Sequence, residues 1–77
     1  MSYNEQQEDI VYSYYLLCLY SIAQGESIEE LEYLLSDFEE EELYEQCDGV
    51  RRAIEFAKTN TLEGILLELN KETNNQV

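Results

Sequence analysis

The sequence predicts an all-α fold, a small four-helix domain packed around a central apolar N-terminal helix. Three observations predict it. Proline is absent and there are three glycines, while Leu and Glu are frequent, a composition that favours helix. Residues 10–23, IVYSYYLLCLYSIA, carry no charge, and only Ser13 and Ser21 interrupt the apolar and aromatic side chains. The capping-box spacing, a short polar residue followed three positions later by Glu or Gln, recurs ahead of successive apolar stripes.

At about 100° per residue the apolar run covers a whole helix. Ile10, Tyr14 and Leu17 fall on one side, Val11, Tyr15, Cys18 and Ile22 on a second, and Tyr12, Leu16, Leu19 and Ala23 on a third. A helix that is apolar all round belongs in a core or a membrane. A membrane span takes roughly 20 apolar residues, and this run is shorter. Glu5, Glu8 and Asp9 precede it, where a secretory signal would be basic. The expectation is a buried central helix over residues 4–24. It starts from Ser2 with Glu5 or Asn4 with Gln7, and Gly25 ends it in the left-handed conformation.

Ser27 with Glu30 opens a second, short helix over residues 28–36, whose buried stripe is Ile28, Leu31, Leu35 and Phe38 with Leu34 beside them. Ser36 with Glu39, or Asp37 with Glu40, restarts the chain as a third helix over 39–58. There Leu43, Cys47, Val50, Ile54 and Ala57 recur at steps of four and three. Glu41, Glu45, Asp48, Arg52 and Glu55 lie opposite. Gly49 is off the stripe, and marks either a close approach by another helix or a kink. Asn60 with Glu63 begins a fourth helix over 61–71, with Leu62, Ile65, Leu66 and Leu69 on its apolar face. Residues 1–71 are read as one domain, and the polar tail 72–77 as disordered.

Charge bounds function. Eighteen acids face four bases, Arg51, Arg52, Lys58 and Lys71, for a formal charge of −14. Self-repulsion on this scale weakens a compact state and is relieved by salt. Direct binding to nucleic acid or to an anionic membrane is disfavoured, and a basic protein surface is the natural complement. Cys18 and Cys47 have apolar neighbours at helical spacing and no export signal ahead of them, which reads as two buried, reduced thiols in a cytoplasmic protein. There is no His, no nucleophile elbow, no phosphate-binding glycine loop and no EF-hand spacing, so neither catalysis nor a cofactor or dedicated metal site is expected. Phe56 lies away from its helix's stripe, on the side that would face solvent in a monomer, and with the tyrosines of the first helix this predicts a homodimer.

The strongest local signal is acidic. From residue 26 to 48 there are eleven acids (Glu26, Glu29, Glu30, Glu32, Asp37, Glu39, Glu40, Glu41, Glu42, Glu45, Asp48) and no base. Helix propensity and helix dipoles explain each glutamate singly, but not the missing Lys and Arg that would add i,i+4 support. Carboxylates on successive turns lie about 5 Å apart along a helix, of the same order as the ~3.4 Å rise between phosphates of a DNA strand. Such a face can stand in for phosphates. The expected function is a non-enzymatic inhibitor that occupies the basic, nucleic-acid-binding surface of a partner protein. Glu29, Glu30, Glu41, Glu45 and Asp48 would be its charge contacts, with Tyr33 and Tyr44 as anchors. In size, charge and helix content the chain resembles the small acidic inhibitors by which phages and mobile elements block restriction, CRISPR or transcription machinery, a likeness of format that no motif carries. Two alternatives fit the same residues: an immunity protein or antitoxin covering a basic nuclease, and a helical adaptor that self-assembles through its Tyr-rich helix.

Overall fold

The computed structural model describes the backbone of residues 2–74 and the side chains of residues 8–71. The described residues form four helices, α1 (Ser2–Ala23), α2 (Ile28–Glu40), α3 (Tyr44–Thr59) and α4 (Leu62–Asn74). The all-α fold expected from composition and periodicity is the observed one.

Local chemistry sets most boundaries. Gly25 ends α1 at φ +114, where a side chain would be strained. Its N–H donates to the Ile22 carbonyl and that of Glu26 to the Ser21 carbonyl, the paired bonds of a Schellman close. Ser27 caps α2 reciprocally: its Oγ accepts from the Glu30 N–H at 3.2 Å, and Glu30 Oε1 accepts from the Ser27 N–H at 3.1 Å. The proposed caps of α1, at Ser2 to Gln7, involve side chains outside the described residues.

Helix boundaries differ from the sequence reading in several places. The chain does not restart at Ser36 or Asp37, and α2 continues to Glu40. Nothing at 36–38 breaks a helix, and Phe38 extends the apolar stripe to an edge-to-face contact with Tyr14 of α1 (5.7 Å, 86°). The turn falls instead at residues 41–43. There the Glu42 N–H donates to the Glu39 carbonyl and the Leu43 N–H to the Phe38 carbonyl, with Glu42 at φ +61. This is again a Schellman close, but with glutamate where glycine is usual, and Leu43 provides no side-chain cap to α3. The second difference is one residue wide. Thr61 Oγ1, rather than Asn60, caps α4 by accepting from the Gly64 N–H. Asn60 instead turns back to donate to the Phe56 carbonyl at 2.9 Å, closing α3. Helix α4 also continues to Asn74, past the expected end at residue 71, while residues 75–77 of the expected tail lie outside the described residues.

The largest share of the core belongs to α3. Cys47, Gly49, Val50, Ala53 and Ile54 are buried there, against Val11, Cys18 and Leu19 of α1, Leu31 of α2 and Ile65 of α4. Helix α3 packs against α1 and α2 and touches α4. The stripe Leu31, Leu35, Phe38 of α2 and the stripe Cys47, Val50, Ile54, Ala57 of α3 face inward as their spacing required. Helix α1 is one-sided rather than enclosed: Leu17 is 58% and Tyr20 56% exposed. Three short helices cannot wrap a fourth completely, and here they leave its outward side uncovered.

Gly49 resolves as a close approach. A Cβ placed there would lie 2.5 Å from the Val11 carbonyl oxygen, 2.8 Å from Tyr14 Cβ and 3.0 Å from the Tyr15 nitrogen. This is where α1 crosses α3 backbone against side-chain root. The crossing also corrects the reading of Phe56. With α1 held this near, Tyr15 reaches the Phe56 ring edge-on (6.3 Å, 83°), and Phe56 packs against the core instead of facing solvent.

Candidate partner-binding surface

Helix α2 buries Leu31 and half-buries Ile28, Leu34, Leu35 and Phe38, which fixes what its opposite side presents. Glu29, Tyr33, Ser36 and Glu40 recur there at steps of four, three and four, with Glu30 and Asp37 beside them, and all are exposed. From Glu29 to Glu40 the stripe covers about three turns, or ~16 Å. Tyr33 is 76% exposed, and with Glu29, Glu32 and Ser36 it lines a shallow hollow on this face. Glu30 is engaged locally as the partner of Ser27 in the cap.

The other expected site residues lie elsewhere. Tyr44, 65% exposed, lines a second hollow between α1 and α3 with Glu45, Asp48, Glu8, Val11 and Arg51. Glu41 belongs to neither group. It is the C-cap residue of α2, so it does not continue the α3 row of Glu45 and Asp48 as a helix over 39–58 would have had it. The seven residues therefore fall into an α2 face (Glu29, Glu30, Tyr33), a corner (Glu41) and an α1–α3 hollow (Tyr44, Glu45, Asp48). Sequence reasoning missed Asp37 and Glu40 because it ended α2 too early. The signal that could have found them was the stripe Leu31, Leu35, Phe38, which requires an outward row through residue 40.

Part of the acidic run is neutralised. Arg51 Nη2 donates to Glu39 Oε2 at 2.9 Å, Lys58 Nζ lies 3.9 Å from Glu32 Oε2, and Arg52 Nη2 lies 3.6 Å from Asp48 Oδ2. Two of these pairs tie α3 to α2, contacts that helix spacing within 26–48 could not reveal. Every partner is about half-exposed, so each pair is worth about 0–1 kcal/mol. Among the described residues Glu26, Glu29, Glu30, Asp37, Glu40, Glu41 and Glu42 form no ion pair. The negative face thus narrows to the outward side and two ends of α2, and Asp48 is in part spent on Arg52.

Both cysteines are buried and free. Burial, with Glu26 as a smaller contribution, pushes the Cys18 thiol up to about 11. Burial also raises that of Cys47, against a lowering by Arg51 and with a further rise from Glu39. Among the described residues no three His, Cys, Asp or Glu side chains are placed to hold a metal ion, and no helix is long and apolar enough to cross a membrane. No family model, curated protein or solved structure matches the chain.

Proposed function

We propose that the chain is a small, non-enzymatic inhibitor that works in the cytoplasm by covering a basic, nucleic-acid-binding surface of a partner protein, in the manner of a DNA mimic encoded by a phage or mobile element. One observation carries this reading: the outward face of α2 presents Glu29, Asp37 and Glu40 around the exposed ring of Tyr33, and none of these three acids forms an ion pair among the described residues. In a chain of charge −14 such a face steers toward Lys- and Arg-lined clefts, and its binding is steeply salt-dependent. Tyr33 supplies an anchor of large area and little rotamer entropy. A basic nuclease held by an immunity protein or antitoxin would meet the same face. The test is capture of partners from the native host at low salt, with the wild type and with Glu29, Asp37 and Glu40 all replaced by Lys. The reading expects a nucleic-acid-binding protein that is lost with the reversed face and displaced by duplex DNA; equal capture by both proteins overturns it.

A second reading, an adaptor or homodimer, is favoured by α1. Ile10, Ser13, Leu17 and Tyr20 form an uncharged outward stripe, with Leu17 and Tyr20 more than half-exposed. The covered position of Phe56 removes one argument for self-association, while this stripe supplies another. Binding through it would be nearly flat in salt.

A further inference from the structure

The outward side of α2 is shaped like one half of a helix pair. Glu29, Glu32, Tyr33 and Ser36 stand at positions i, i+3, i+4 and i+7, the four corners of the gap that receives a side chain when two helices pack. Every helix surface carries such gaps, but here a small residue, Ser36, stands at a corner between longer neighbours and leaves the space open. The hollow measures about 420 Å³, within the roughly 300–1,000 Å³ common for binding sites. Tyr33, Ser36, Asp37 and Glu40 mark a second gap of the same spacing. It shares the edge from Tyr33 to Ser36 and lies about one turn further, ~6 Å along the axis. All six residues are exposed.

Chemistry decides which side chain enters. The corners of the two gaps carry four carboxylates and no base. Glu29, Asp37 and Glu40 form no ion pair among the described residues, while Lys58 of α3 meets Glu32 from one edge at 3.9 Å. Tyr33 is 76% exposed, and its ring has no aromatic contact among the described residues. The apolar side chains that fill such gaps in a coiled coil would strand these charges. A long side chain with an apolar stem and a flat cationic head matches them. We propose that α2 docks a basic helix of the partner protein, whose arginines, one turn apart, enter the two gaps on either side of the Tyr33 ring. Their guanidinium groups are directed at Glu29 in the first gap and at Asp37 and Glu40 in the second. Arginine suits both better than lysine, because its planar, weakly hydrated head stacks on aromatic rings and its donors form a fork matched to a carboxylate. The inference rests on the basic-partner reading and names the element of the partner that docks.

The test is an NMR titration of the full chain, at about 150 mM salt to shorten the range of general attraction. The probe is an alanine-based peptide of about 18 residues, long enough to be helical alone, with three arginines at steps of four along one face. A second peptide of equal composition has them at steps of five, which spreads them around the helix, and a third has lysines at steps of four. The expected result is saturable shifts at Tyr33 and Ser36 with the first peptide, at least tenfold weaker with the second and threefold weaker with the third. Ser36→Leu, which fills the shared edge without changing charge, should weaken binding at least fivefold at unchanged helicity. Equal binding of the spread or lysine peptide, full binding by Ser36→Leu, or no saturable binding would overturn the proposal. The wild-type comparison of peptides decides this even if the variant unfolds. Because the spread peptide and Ser36→Leu leave every charge in place, loss of the helix-docking proposal is distinct from loss of the α2 charge reading, which the lysine reversals test.

Discussion

Gly49 shows how one missing methyl can fix a helix pair. Alanine is the better helix residue by about 1 kcal/mol, so on propensity alone Gly49→Ala would stabilise α3. The added Cβ, however, would meet the Val11 carbonyl and the Tyr15 nitrogen, main-chain atoms that cannot rotate aside. Overpacking of this kind costs typically 1–3 kcal/mol, and with backbone on the far side the upper half of that range applies. The expected net effect is a loss of about 1–2 kcal/mol, read as a lower urea midpoint at unchanged helicity; a stabilised variant would mean that α1 does not sit this close. The buried thiols make a second residue-scale prediction. With Cys18 raised from 9.0 to about 11, its thiolate at pH 8 is about a hundredfold scarcer than in the unfolded chain. Labelling by a disulfide reagent such as DTNB should be slower by at least that factor in the native protein than in urea. The sign for stability follows from the raised native value. The contribution is fully present below pH 9 and is lost as pH rises through about 11.

At the level of elements, the sequence disclosed what periodicity and glycine could disclose. The Ser27–Glu30 box and Gly25 were legible because each relies on a residue type that few other roles demand. The α2–α3 turn was not, because a glutamate occupies its left-handed position inside four consecutive glutamates, and neither glycine nor a capping residue marks it. The same gap hid half of the candidate face: an α2 ending at residue 36 has no place for Asp37 or Glu40 on its outward row. The pairing of Glu39 with Arg51 and of Glu32 with Lys58 was equally out of reach, since both contacts depend on how α2 lies on α3, whereas Asp48 and Arg52 stand four residues apart on α3 and were legible from spacing. The turn yields its own prediction. A non-glycine residue in the left-handed region costs roughly 1 kcal/mol, so Glu42→Gly should stabilise the fold by about 0.5–1 kcal/mol. Glycine's larger unfolded-state entropy sets the lower end of that range. Thermal unfolding gives the answer, and a lower melting temperature would mean that the Glu42 side chain holds the turn in a way its backbone does not show.

Over the whole molecule, electrostatics opposes the packing described above. A chain with a radius of gyration of 12.7 Å carries a formal charge of −14, and its principal extents of 32 × 32 × 18 Å keep most acids within two or three Debye lengths of one another at ~0.15 M salt. Against this repulsion stand, among the described residues, three half-exposed ion pairs of about 0–1 kcal/mol each. Salt weakens both, but it screens many like-charge pairs at long range, while the attraction within each ion pair acts at short range. The melting temperature should therefore rise between about 20 and 500 mM sodium chloride, over the same interval in which binding of a basic partner falls. The opposed slopes share one origin, since the carboxylates that repel each other within the free protein are those a basic cleft would neutralise. A melting temperature that fell with salt would place the three pairs above the self-repulsion. It would also remove the excess negative field on which the α2 surface depends.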